Sequence, residues 1–166
     1  MIGISTIKGL AFGNENVKCI PVSALESLCE NVSDEQKGTV ICACMDARRN
    51  QVYTGIYRFE NDFEVVEEQM AIPVQELIEK LNAYGKKVTF LGDGVPVYGE
   101  QLKAGLTVEY AFAPAHMNRQ SAAAVGALGM KYFAEGKIES ARDHEPDYLR
   151  LSQAERERAE KNASLS

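Results

Sequence analysis

Between residues 39 and 135 the chain spells three strands in succession and then alternates helix with strand. No other feature narrows its folds so far. Thr39–Met45 is apolar on both faces, as a central strand must be. A polar turn, Asp46-Ala47-Arg48-Arg49-Asn50, follows it. Gln51–Phe59 then alternates, with Tyr53, Gly55, Tyr57 and Phe59 on one face and Val52, Thr54 and Ile56 on the other. Asn61-Asp62 turns into a third strand, Phe63–Glu68. Beyond it, Pro73 opens a helix through Leu77, Ile78 and Leu81 that Gly85 stops. Val88–Leu91 reads as a buried strand ending in Gly92-Asp93-Gly94, and Pro96 sits near the start of a short helix to Lys103. Leu106–Tyr110 is the next strand. Asn118 is placed to cap a long helix to Glu135, closed by Gly136, with Ala122, Gly126 and Gly129 as a small-residue stripe for packing on a sheet.

Three antiparallel strands followed by alternating helices and strands build one mixed sheet with helices on its faces. This is the α/β, ribonuclease H-like arrangement of the actin-like ATPase superfamily. Residues 1–30 read differently. Ile4, Ile7, Leu10 and Ala11 recur at helical spacing up to Gly13. Val17–Val22 suits a short strand, and Ser23 with Glu26 forms a capping box for a helix to Glu30. Helix, strand and helix match the end of a similar unit, so 1–30 is expected to be the remnant of a second lobe. Residues 39–135 are then the ribonuclease H-like lobe. Residues 136–166 supply an extended segment around Pro146-Asp147-Tyr148-Leu149-Arg150 and a charged helix over Glu155–Lys161.

Charge excludes some functions. Lys plus Arg number 18 against 24 for Asp plus Glu, a formal net charge of -6. Such a chain is a poor free-standing nucleic-acid binder, because phosphate contacts need clustered cations. The apolar run Ala122–Met130 is far too short to span a membrane. Cys19, Cys29, Cys42 and Cys44 form no C-x-x-C pair, and in a strand Cys42 and Cys44 share one face. They are expected to be reduced, buried thiols of a cytoplasmic protein. His116 and His144 lie in no H-x-x-x-H or H-E-x-x-H spacing, which speaks against a zinc hydrolase.

Several segments resemble the bacterial TsaB (YeaZ) family. Met45-Asp46-Ala47-Arg48-Arg49 followed by Val52-Tyr53 is the most distinctive. Ile2–Ala11, Pro21-Val22-Ser23-Ala24-Leu25-Glu26, Leu91-Gly92-Asp93-Gly94, and Pro146–Arg150 with Ala154-Glu155-Arg156 agree in the same order. The family's first meander and its S-F-T-G-L-R segment are missing, so the chain looks like a member lacking its N-terminal part. The resemblance implies a non-catalytic accessory subunit in making threonylcarbamoyladenosine on tRNA. It implies a TsaD-type partner carrying the metal and the ATP or ADP, a TsaE-type ATPase, and contact with tRNA only through them. No cofactor is expected on this chain. The alternatives are an ATP-dependent enzyme of the actin-like superfamily and a glycoprotease-like (M22-type) peptidase.

Two sets of residues are candidates for a site. In the superfamily a turn after the first strand wraps phosphates and usually needs Gly for close backbone approach. Here that turn has no Gly. Asp46, Arg48, Gly92, Asp93 and Gly94 are either vestigial nucleotide contacts or plain turns, and Arg48 and Arg49 either meet an anion or are merely solvated. Asp46 has no identifiable acid or nucleophile to work with as a base. The second set is Ile4, Ile7, Lys8 and Ala11 on the first helix, which the family resemblance places at the partner interface. The bland alternative is that this stripe covers its own sheet. An unpaired apolar edge at Val17–Val22 also leads us to expect self-association, such as a homodimer.

Overall fold

The computed structural model describes residues 2–14, 16–32, 38–60 and 62–149. Arg150, the segment Ala154-Glu155-Arg156 and the expected charged helix lie outside the described residues. β-branched and aromatic residues at alternating positions make the meander: β1 (Val40–Asp46), β2 (Gln51–Phe59) and β3 (Phe63–Pro73), paired antiparallel. α3 (Val74–Tyr84) starts at Pro73 and ends at Gly85, whose φ of 67° is the left-handed cap such a helix end requires. It leads to β4 (Val88–Leu91), then α4 (Val95–Gly105), then β5 (Tyr110–Phe112). β4 lies parallel to β1, and β5 parallel to β4, so the sheet order is β3-β2-β1-β4-β5. Mixed pairing in this order is the ribonuclease H-like sheet read from the sequence.

The alternation in β2 divides the core as expected. Val52 and Ile56, with Cys42 and Cys44 of β1, face Leu77, Ile78, Leu81 and Leu102 of α3 and α4. Tyr57, with Ile41 and Ala43, faces the other way, onto Leu25, Leu28 and Cys29 of α2 (Ala24–Cys29). The Tyr57 ring lies back over Gly55, where an added Cβ would stand 2.3 Å from the tyrosine oxygen. All four cysteines are buried and unpaired. Burial pushes the Cys42 thiol up to about 12. No helix among the described residues is long and apolar enough to cross a membrane.

Four expectations need correction. Val17–Val22 is not a strand: only Cys19 pairs, in a single bridge to Glu139. Pro21 has no N–H to give a ladder, and the chain turns into the Ser23 cap two residues later. The unpaired strand edge thought to drive self-association is therefore reduced to one bridge. The fifth expected strand of the lobe shifts from Leu106–Tyr110 to Tyr110–Phe112, where the pairing partners on β4 are found. α5 (Ala122–Ala134) is capped by Ser121, not Asn118, and rests on α2 rather than on the sheet. Its inward face is Ala124, Leu128, Gly129 and Tyr132, so Ala122 and Gly126 of the expected stripe are exposed. Finally, the capping box at α2 is half formed. Ser23 Oγ accepts from the Leu25 and Glu26 amides, but the Glu26 carboxylate turns away to accept from Tyr132 OH at 2.5 Å.

α1 (Ile2–Ala11) stands off the sheet. Ala11 is buried, while Ile7 is 55% and Phe12 just beyond the helix 82% exposed. After α5 the chain runs back over residues 136–149 toward α1. Lys8 Nζ holds this strap by donating to the carbonyls of Arg142, at 3.2 Å, and His144, at 2.7 Å.

Candidate functional site

The carboxyl ends of two neighbouring parallel strands are where α/β sheets usually place ligands. Here β1 ends in Asp46 and β4 runs into Gly92-Asp93-Gly94. The structure brings all five sequence-predicted residues of this junction together. Gly94 N donates to Cys44 O at 2.9 Å, and Asp46 N donates to Asp93 Oδ1 at 3.1 Å. Asp46 Oδ1 accepts from Arg48 N and from Tyr98 OH, each at 2.8 Å, and Arg48 Nη1 lies 3.3 Å from Asp46 Oδ2. The Tyr98 hydroxyl, then the Arg48 amide and guanidinium, hold the Asp46 carboxyl below its usual range. Burial first, and the Asp46 bond second, push Tyr98 up to about 12. A carboxylate so stabilised is a weak base.

The glycines here serve close packing of backbone on backbone. A Cβ on Gly92, whose φ is 117°, would stand 2.2 Å from Cys44 O, and one on Gly94 2.8 Å from Cys44 Sγ. The hairpin turn does without glycine altogether. Arg48, Arg49 and Asn50 all have positive φ, at 64°, 53° and 57°. Left-handed non-glycine residues cost about 1 kcal/mol or more each. The Asp46 bonds to Arg48, together with Gln51 N donating to Arg48 O, fix this conformation. Tyr98 and Asn118 were missed by sequence reasoning. Asn118 Oδ1 accepts from Gly92 N at 3.0 Å and so pins the β4 turn. Its position before an apolar helix gave the signal of a cap, which nearer Ser121 took over. Among the described residues no three of His, Cys, Asp and Glu come together as a metal site would require.

The second set lies apart from the junction, none of whose five residues lines the groove beside it. Ile4 and Ile7 line an open groove of about 1290 Å³ bounded by α1, residues 20–26, α5 and the strap. Lys8 is spent on the strap, and Ala11 is buried at the helix end. The groove continues over Ile20, Val22 and Val125 to Met130 and Phe133 on α5. Met130 is 77% and Phe133 60% exposed. Nothing in the residue pattern signals this, because α5 reads as a core helix.

A family model described as TsaD, tRNA N6-adenosine threonylcarbamoyltransferase, matches residues 1–158. The chain belongs to this family. Within it, the likeness is of the TsaB/YeaZ kind. The chain is 29% identical over 157 residues to the tRNA threonylcarbamoyladenosine biosynthesis protein TsaB of Bacillus subtilis (strain 168), which covers 93% of this chain and 65% of that protein. A solved structure titled as a protein with similarity to peptidase YEAZ, from Pseudomonas aeruginosa, superposes with a TM-score of 0.73 at 24% identity, over 90% of this chain and 66% of that one. YeaZ from Pseudomonas aeruginosa gives 0.69 at 23%, over 89% and 67%. These two share the family fold with the present chain, which spans about two thirds of the length of all three relatives.

Proposed function

We propose that this chain acts as a non-catalytic accessory subunit in threonylcarbamoyladenosine modification of tRNA, pairing through α1 with a TsaD-type protein. One observation carries the reading. The helix that the family resemblance places at the interface stands off its own sheet, with Ile7 and Leu10 open to solvent. Covering its own sheet, the bland alternative for this stripe, leaves those two side chains unexplained. Exposed apolar side chains grouped on one element mark protein-binding surfaces. The likeness to a biosynthesis protein across 93% of the chain supports the same reading. At the sheet junction, the groups that resemble catalytic ones are bonded to one another. The chain would then meet tRNA and a TsaE-type ATPase only in the assembly, with nucleotide and metal on the partner.

The test is co-purification of the chain with a TsaD-type protein of Bacillus subtilis, followed by modification of tRNA. A complex that restores modification, and loses at least tenfold in affinity on Ile7→Asp, is the expected result. Modification or peptide cleavage by this chain alone would overturn the accessory role. An Ile7→Asp variant that pairs normally would remove α1 from the interface.

A further inference from the structure

The two margins of the sheet differ. β3 bears Glu64, Glu67 and Glu68, and its pairing with β2 is broken by two register shifts. Charges and bulges of this kind blunt an edge strand against further pairing. β5 and the residue after it read Tyr110-Ala111-Phe112-Ala113, with no charge, glycine or proline. Among the described residues no strand lies beyond β5. The stretch between α1 and α2 meets the sheet at the opposite margin, where Ser23 Oγ donates to Gln69 of β3.

The free backbone groups of β5 follow from its pairing. A parallel ladder engages alternate residues of a strand. Val88 N donates to Glu109 O at 2.9 Å and Ala113 N to Phe90 O at 2.8 Å, so Glu109, Ala111 and Ala113 turn toward β4. Tyr110 and Phe112 therefore turn their N–H and C=O outward. Among the described residues nothing bonds these four groups. Val108 at one end is bent out of the strand, and Pro114 at the other has no N–H to give.

Such a row fits a second copy of itself. In an antiparallel pair turned about Ala111, Tyr110 stands opposite Phe112 of the second copy, and each such pair exchanges two N–H···O bonds. Every outward group of both copies is then used. Both rings are half-buried and belong to one aromatic cluster, with Phe112 5.6 Å from Tyr110 and 5.7 Å from Phe90. Aromatic pairs directly across two strands add to their stability. Glu109 would face Ala113 rather than another carboxylate, and it already pairs with Lys87 at 2.6 Å.

We infer that β5 is a docking edge for a second copy of this chain, joined antiparallel about Ala111 into one continuous sheet of ten strands. Self-association, expected from Val17–Val22, thus belongs to β5. The pairing does not use α1, so the inference does not rest on the accessory role above.

The register supplies the test. Residues facing each other at the axis, in a pair without mutual hydrogen bonds, have Cα atoms about 4.5 Å apart. That falls within the roughly 4.4–6.8 Å that a disulfide spans. Ala111→Cys in the full chain is expected to form a linked dimer on mild oxidation, read by non-reducing electrophoresis. Glu109→Cys, which would face Ala113, should give less than a tenth as much. The four native cysteines are buried. Sedimentation velocity reads the contact without a cross-link. The unaltered chain should pass from monomer to dimer between about 5 and 500 µM, the range of a small interface. Ala111→Lys, which sets two ammonium groups across the axis, should weaken the dimer at least tenfold. An equimolar mixture of Ala111→Lys and Ala111→Glu should restore it. Circular dichroism checks that each variant is folded. A monomer throughout that range would overturn the inference, as would cross-linking of Glu109→Cys equal to that of Ala111→Cys. So would a dimer that Ala111→Lys leaves intact; if Ile7→Asp then abolishes it, the contact lies on α1.

Discussion

The sheet junction and the helix groove are opposites. At the junction, polar groups with a catalytic look are satisfied by one another: Asp46 by Tyr98 and Arg48, Gly92 by Asn118, Gly94 by Cys44 O. At the groove, bland apolar residues are left without cover. The difference teaches that the chemistry of a side chain says little until its partners are known. A carboxylate at a strand end is a structural latch here, and an isoleucine on a terminal helix is the more telling residue.

The strongest challenge to this comparison is Gly92→Ala. Its Cβ would fall 2.2 Å from Cys44 O at a φ of 117°. A loss of about 3–5 kcal/mol in urea unfolding is expected, the scale of strain combined with overpacking. A loss under about 1 kcal/mol would mean that the junction is loose and open to a ligand. Asp46→Ala should cost about 2–3 kcal/mol, since Tyr98 OH and the turn lose a charged acceptor.

The same residue gives a pH test. Its carboxyl is lowered from 3.8 in the folded chain. It thus contributes stability that is fully present above the unfolded value and is lost as pH falls through the folded one. Asp46→Asn should flatten the decline in urea midpoint below about pH 4 without altering the midpoint's trend above pH 6. An unchanged acid limb would mean that Asp46 is not the latch. Calorimetry with ATP and ADP sharpens the contrast further. We expect no micromolar binding by the chain alone, and such binding, lost in Arg48→Ala, would restore the junction as a nucleotide site. The smallest effect belongs to the other region. Ile7→Asp should move stability by no more than about 0.5 kcal/mol, because its side chain is 55% exposed. A larger loss, read by thermal melting, would show that α1 is core after all.

Much of this fold was legible because its signals are local. Alternation in Val52–Phe59 sorted the two faces of the sheet, and Pro73 with Gly85 bounded α3 within a residue. What failed was non-local. Val17–Val22 has the composition of a strand, but a strand needs a neighbour, and only Glu139 arrives to pair with Cys19. Asn118 and Ser121 compete for one helix start, and distant Gly92 decides which is left to cap it. The candidate residues at the junction were found from the turn and the glycines. Their mutual bonding was not foreseeable, since Tyr98 enters from α4, 52 positions along the chain from Asp46. The groove was invisible because it depends on where α5 fails to pack.

Gln69 on the edge strand β3 accepts from Ser23 Oγ, 46 positions earlier, and donates to Asp147, 78 positions later. One amide thus ties the start of α2 to the sheet margin and to the strap. A ribosome making this chain releases Ser23 first, Gln69 next and Asp147 last. The bridge can close only after all three have emerged, whereas the cap itself, Ser23 Oγ accepting from the Leu25 and Glu26 amides, is local and can form long before it.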